Sequence, residues 1–82
     1  MDYEVIVKNL LVAATARTDI AAMTADSPLL GHIAELDSMA IVTFFTALED
    51  EYGVFIDDDE VSADLFENLD SLTRFVADKL SA

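Results

Sequence analysis

Ser38 stands in the stretch Glu35-Leu36-Asp37-Ser38-Met39-Ala40, where a polar loop containing Pro28 and Gly31 turns into the most strongly apolar segment of the chain. A short side-chain oxygen at Asp37 or Ser38 can take a free backbone N–H of a helix's first turn, so either residue is a good N-cap. A helix start also receives a phosphate well, because unpaired N–H groups and the positive end of the macrodipole meet there. Ser38 therefore offers a hydroxyl at a ready-made anion site and is a candidate modification site. Taken alone, the hexapeptide favours the plainer reading of a serine that only caps its helix, since Asp-Ser pairs are common helix starts.

Little else in the chain has the makings of a reaction centre. There is one histidine, His32, which reads as a surface or packing residue in a loop, and there is no cysteine. The chain thus has no thiolate nucleophile, no disulfide and no thiolate metal site, and no Gly-rich phosphate loop or pair of histidines at metal spacing. The acids could supply a carboxylate pair, but on a shallow solvated surface they do not gain the raised pKa that general acid catalysis needs. The acidic run Asp57-Asp58-Asp59-Glu60 is not a calcium loop. Counting from Asp57, the sixth and twelfth places are Ser62 and Asn68, where an EF-hand needs Gly and Glu. An enzyme is set aside on these grounds.

Size and charge point the same way. At 82 residues the chain is read as a single domain, 1–82. A domain of this size buries roughly 60% of its unfolded surface, too little for a deep substrate cavity with its own catalytic apparatus. Seventeen acids against four bases leave a net charge of −13. No Lys or Arg stands between Arg17 and Arg74, and every charged residue from Glu49 to Asp70 is acidic. Such a field repels nucleic acid and anionic membranes and attracts protein surfaces rich in Lys and Arg. No apolar run is long enough to cross a membrane, and the acidic start Met1-Asp2-Tyr3-Glu4 is unlike a signal peptide, so the chain is expected in the cytoplasm as a monomer.

The elements that must hold Ser38 are helices. From Tyr3 to about Ala16 a helical period gathers Tyr3, Ile6, Val7, Leu10, Leu11 and Ala14 on one side. Val5 and Val12 fall opposite and are taken as the edge of a wide buried stripe. A long loop follows, broken by Ser27-Pro28, with a short turn near Ile20 to Met23 and with Leu29, Leu30, Ile33 and Leu36 pinning it to a core. The second helix runs from Ser38 to Tyr52 and stops at Gly53. Its core arc holds Ile41, Phe44, Phe45, Leu48 and Tyr52, and its outer face holds Met39, Thr43, Thr46 and Asp50. One short helix is expected from Val61 to Phe66 with Ser62 as cap, and a last helix from Leu69 to Leu80. The fold class is all-α: a small bundle of three main helices plus one short helix, with a long loop between the first two.

In this order the features are specific, and the chain resembles the acyl carrier protein family over nearly all of its length. Val7-Lys8-Asn9-Leu10-Leu11 looks like the family's first helix. Leu36-Asp37-Ser38-Met39 is similar to its Asp-Ser-Leu attachment motif, with Met for Leu, and Ala47 to Val54 resembles the acidic end of its second helix. The resemblance implies that Ser38 carries a 4′-phosphopantetheine arm, joined by a phosphodiester and ending in a thiol that holds acyl groups as thioesters. It also implies two kinds of partner: a phosphopantetheinyl transferase, and acyl-transfer or synthase enzymes with basic patches. These would meet Asp37, Met39, Thr43, Thr46, Glu49 and Asp50. The run from Glu35 to Ala47 also resembles carriers associated with bacterial exosortase and surface-polysaccharide systems.

Leu69-Asp70-Ser71-Leu72 matches the attachment motif more literally than the stretch around Ser38 does. Ser38 is preferred because too little chain follows Ser71 to build an acidic partner-facing helix, and Ser71 reads as an exposed residue in the first turn of the last helix. The chain departs from fatty-acid-synthase carriers at Ala40 and Thr43, where those carriers usually place acids. Restoring acids there, Ala40→Asp with Thr43→Glu, is expected to improve recognition by such enzymes. Two other readings stand beside this one: a peptidyl or aryl carrier, and an acidic helical adaptor in which Ser38 is only a helix cap.

Overall fold

A computed structural model describes residues 2–81, with Asp58 by its backbone alone. Three α-helices, α1 (Tyr3–Thr15), α2 (Ser38–Tyr52) and α3 (Leu69–Ser81), pack around one core. Between them lie 3₁₀ turns at Thr18–Ala22, Asp58–Glu60 and Ala63–Phe66.

Helix α1 starts at Asp2, whose Oδ1 accepts from Val5 N at 3.3 Å. It closes at Ala16, a non-glycine residue in the left-handed region with φ 61°. The buried Thr15 hydroxyl stabilises that turn by donating to the Leu11 carbonyl at 2.7 Å and accepting from Arg17 N at 3.3 Å. Val7, Leu10 and Leu11 face the core, and Val12 is half-buried against it. Val5 is exposed, so the stripe is narrower than the period suggests.

The long loop is ordered because it serves α3. The N–H groups of Leu69 and Asp70 donate to the carbonyls of Ser27 and Ala25, both at 3.0 Å, while Leu29 and Leu30 donate back to Glu67 and Phe66. These bonds satisfy donors that a helix N-terminus otherwise leaves unpaired. Ile20, Leu29, Ile33 and Leu36 anchor the loop in the core; Leu30, expected among them, points to solvent.

Helix α2 packs on α1, which also receives α3, and begins and ends where its sequence signals say. Gly53 adopts φ 68° and donates to the Glu49 carbonyl at 2.8 Å, the left-handed C-terminal cap that favours glycine. Phe44, Phe45 and Leu48 are buried. Phe45 meets Phe44, Phe66 and Phe75 edge-on, with ring centroids 5.3 to 5.9 Å apart. Phe66 is what fixes the third 3₁₀ turn. The short helix expected from Val61 to Phe66 is thus one 3₁₀ turn over Ala63–Phe66, and Ser62 makes no side-chain cap. Leu65 N instead donates to the Ser62 carbonyl.

Ion pairs sit at the periphery, among them Arg17–Asp19 at 2.6 Å, Arg74–Asp70 at 3.0 Å and Lys79–Glu60. The Arg17 hydrogen bond holds the Asp19 carboxyl below the usual carboxylate range. An exposed pair such as Arg74–Asp70 contributes about 0–1 kcal/mol, whereas a net charge of −13 on so small a body repels itself throughout. Screening therefore removes more repulsion than attraction. The melting temperature should rise with added salt or millimolar divalent cation, and a melt insensitive to both would mean that the acids repel one another little.

Candidate functional site at the start of helix α2

Asp37 caps α2. Its backbone is extended, its Oδ1 accepts from Ala40 N at 2.9 Å, and its carbonyl accepts from Ile41 N at 3.0 Å. Ser38 is the first helical residue and is exposed, and its hydroxyl has no hydrogen-bond partner among the described residues. The reading of Ser38 as only a cap is corrected here, because Asp37 already does that work. The N–H groups of Ser38 and Met39 are likewise unpaired among the described residues, so the first turn presents two donors and the positive end of a 15-residue helix to solvent. The segment leading to Ser38 is anchored by buried Ile33 and Leu36 and by Arg17, whose Nη1 donates to Glu35 Oε1 at 3.3 Å. No base is hydrogen-bonded to the hydroxyl, so Ser38 is not built as a nucleophile of its own.

Ser71 is the opposite case. At the start of α3 the donors of Leu69, Asp70, Ser71 and Leu72 are all taken, by Ser27 O, Ala25 O, Asn68 Oδ1 and Asn68 O respectively. The Ser71 hydroxyl accepts from Asn68 N at 3.2 Å, and its proton lies between the carbonyls of Leu65 and Asn68, each at 2.9 Å. Asn68 and Ser71 form a reciprocal capping box. Ser71 is therefore half-buried and engaged, not exposed as its helical phase suggests. The spacing of an amide side chain three residues before a serine was the available signal.

The holo acyl carrier protein of Nitrosomonas europaea, solved by solution NMR, is similar to this chain with 46% identity over 100% of both chains and a TM-score of 0.88. The chain belongs to the acyl carrier protein family. No family model matches it, and no curated protein does. Among the described residues of this acyl carrier protein, no helix is long and apolar enough to cross a membrane and no cluster of ligands could hold a metal ion.

The carrier's outer α2 face holds Met39, 73% exposed, with Thr43, Thr46 and Asp50 exposed behind it and Asp37 exposed at its head. Ala40 does not belong to that face. It is 4% exposed and packs into the core, so the position where fatty-acid-synthase carriers place an acid is turned inward in this one. Glu49 is half-buried, and its Oε2 accepts from Ile56 N at 2.9 Å. Sequence reasoning missed Val42, 59% exposed, which lies at about 40° from Ser38, between the core arc and the outer face. Val42 opens onto a cavity of about 370 Å³ lined by Ile41, Phe45, Thr46, Glu49, Ile56 and Val61. That open cleft had no signal in helical phase, since its second wall is the segment after Gly53.

Proposed function

We propose that this carrier holds acyl groups as thioesters on a 4′-phosphopantetheine arm attached through a phosphodiester to Ser38. The observation that carries the reading is the contrast between two serines: one hydroxyl free at an open helix N-terminus, the other sealed into a cap. The similar Nitrosomonas protein, a holo form, supports it. The arm supplies a flexible thiol. A phosphopantetheinyl transferase would bring coenzyme A; Ser38 Oγ forms the new bond to phosphorus, the pyrophosphate bond of coenzyme A breaks, and adenosine 3′,5′-bisphosphate leaves. The hydroxyl proton passes to the transferase. The unpaired N–H groups of Ser38 and Met39 are then placed to receive the phosphodiester oxygens.

Acidic Asp50 and Glu51 at the far end of α2 suit partner enzymes with basic patches, while Met39, Val42, Thr43 and Thr46 offer a neutral, partly apolar contact near the arm. The service is acyl transfer in fatty acid, polyketide or related biosynthesis, by a monomeric single domain, 1–82, in the cytoplasm. The cavity begins at Ile41 and Val42, one turn from Ser38, and its apolar walls suit the hydrocarbon part of the cargo. The adaptor reading loses its premise once Asp37 is the cap.

Incubation with coenzyme A and a competent transferase should add one phosphopantetheine by intact mass, and one reactive thiol should appear in a chain that has no cysteine. An unmodified mass would overturn Ser38 as the attachment site. Met39→Ala should leave the melt within about 0.5 kcal/mol, as for other exposed positions, while slowing arm transfer or use by partner enzymes. Unchanged rates, or an unfolded variant by circular dichroism, would overturn the placing of Met39 in the contact face.

A further inference from the structure

One wall of the cavity is helix α2. The other is the segment from Gly53 to Val61, which contributes Ile56 and Val61. Packing anchors that segment in part: Ile56 is buried and Val54 and Val61 pack against the core, but Phe55 is 72% exposed. Polar side chains complete the hold. From α2, Glu49 Oε2 takes the Ile56 N–H at 2.9 Å. From α3, Lys79 Nζ pairs with Glu60 and donates to the Phe55 carbonyl at 3.4 Å. Glu60 in turn accepts from Asp57 N at 2.9 Å, so the lysine grips a turn that is itself closed. The Lys79 ammonium lies 6.0 Å from the Phe75 ring centroid, and its side chain is half-buried, which fixes it in place. Of the other bases, Lys8 pairs with Glu4, Arg17 with Asp19 and Glu35, and Arg74 with Asp70. In a stretch where every charge from Glu49 to Asp70 is acidic, Lys79 is the cation that gathers the wall.

We propose that Lys79 is a positioning residue that holds the Gly53–Val61 segment as the outer wall of the cargo cavity, and so sets the length of acyl chain the carrier shelters. The inference rests on the reading of Ser38 as the attachment site. With Lys79 engaged, Ile56 and Val61 stand as the wall of the cleft opposite α2, and a short chain fits between them. A longer chain must push the wall outward, against the ion pair and the Phe55 carbonyl bond. Lys79→Met keeps the apolar stem over Phe75 and removes both polar grips. Glu60→Gln leaves the lysine intact and removes its ionic partner.

The test has two arms. In the unmodified protein, amide exchange at Ile56 and Val61 should quicken several-fold in Lys79→Met and in Glu60→Gln while α1 amides stay as they are, and Lys79→Arg should restore the slower rate. In the holo protein loaded with straight-chain acyl groups of increasing length, the gain in melting temperature over the unloaded form should level off at a longer chain in Lys79→Met than in wild type or Lys79→Arg. Unchanged exchange would show that Lys79 does not hold the wall. Faster exchange with the levelling-off length unmoved would show that the wall does not limit the cargo. A loaded wild type with no dependence on chain length would remove the cavity as the cargo site and sink the inference, leaving the arm on Ser38 untouched. A chain that accepts no arm would fail the carrier reading itself and the cargo half of the inference with it.

Discussion

Ser38→Ala should show no mass gain after transferase and coenzyme A, while Ser71→Ala gains one full phosphopantetheine and melts lower. The first outcome follows from the loss of the free hydroxyl at the head of α2, where Asp37 keeps the cap and the fold is left as it was. The second follows from the capping box at α3, where the Ser71 hydroxyl is bonded to Asn68 N and set between two carbonyls. Removing a half-buried cap of this kind costs about 1 kcal/mol, which in a domain of this size lowers the melting temperature by roughly 4–8 °C. The two variants therefore separate chemistry from stability in opposite directions, although their tetrapeptides read alike. An adduct on Ser38→Ala, or a folded Ser71→Ala that takes no arm, would reverse the assignment of the two serines.

Ala40→Asp should strongly destabilise the protein, whether alone or with Thr43→Glu. By motif spacing this pair of changes supplies two acids that fatty-acid-synthase partners look for. By burial the two positions differ in kind: Ala40 is 4% exposed against the core, whereas Thr43 is exposed. An unpaired carboxylate forced into such a site costs about 3–5 kcal/mol, against a total stability of about 5–15 kcal/mol for a typical domain. The favourable position near the helix N-terminus returns at most about 1 kcal/mol of that. Thr43→Glu alone carries the testable gain: an unchanged fold, and faster association at low salt with enzymes that present basic patches. Thermal melts by circular dichroism and transfer rates on the three variants decide it. A double variant as stable as wild type would show that α2 can turn Ala40 outward, and unchanged rates for Thr43→Glu would take that face out of partner recognition.

Much of this protein is written locally. The start of α2 at Ser38 and its stop at Gly53 follow from an N-cap acid, an apolar run at helical spacing and a glycine able to take φ 68°. The cores of α1 and α3 follow from the same periodicity, and the all-α class from its recurrence in all three long segments. These features depend on residues within a few places of one another, so the sequence displays them. Leu69-Asp70-Ser71-Leu72 shows the limit, since two near-identical tetrapeptides differ only in what folds against them. The loop supplies the Ala25 and Ser27 carbonyls that close α3, and Leu65 and Asn68 seal Ser71, while among the described residues no group hydrogen-bonds the Ser38 hydroxyl. Ala40, Glu49 and the cavity are of the same sort. Ala40 lies on the core edge of its arc, Glu49 turns its carboxylate to a backbone N–H seven residues on, and Lys79 reaches from α3 to a segment 24 residues earlier. Helical phase gives a side chain's direction about one axis. Which directions are covered, which donors are already spent and which wall closes a cavity are settled by partners distant in the chain, and those only the tertiary structure brings together.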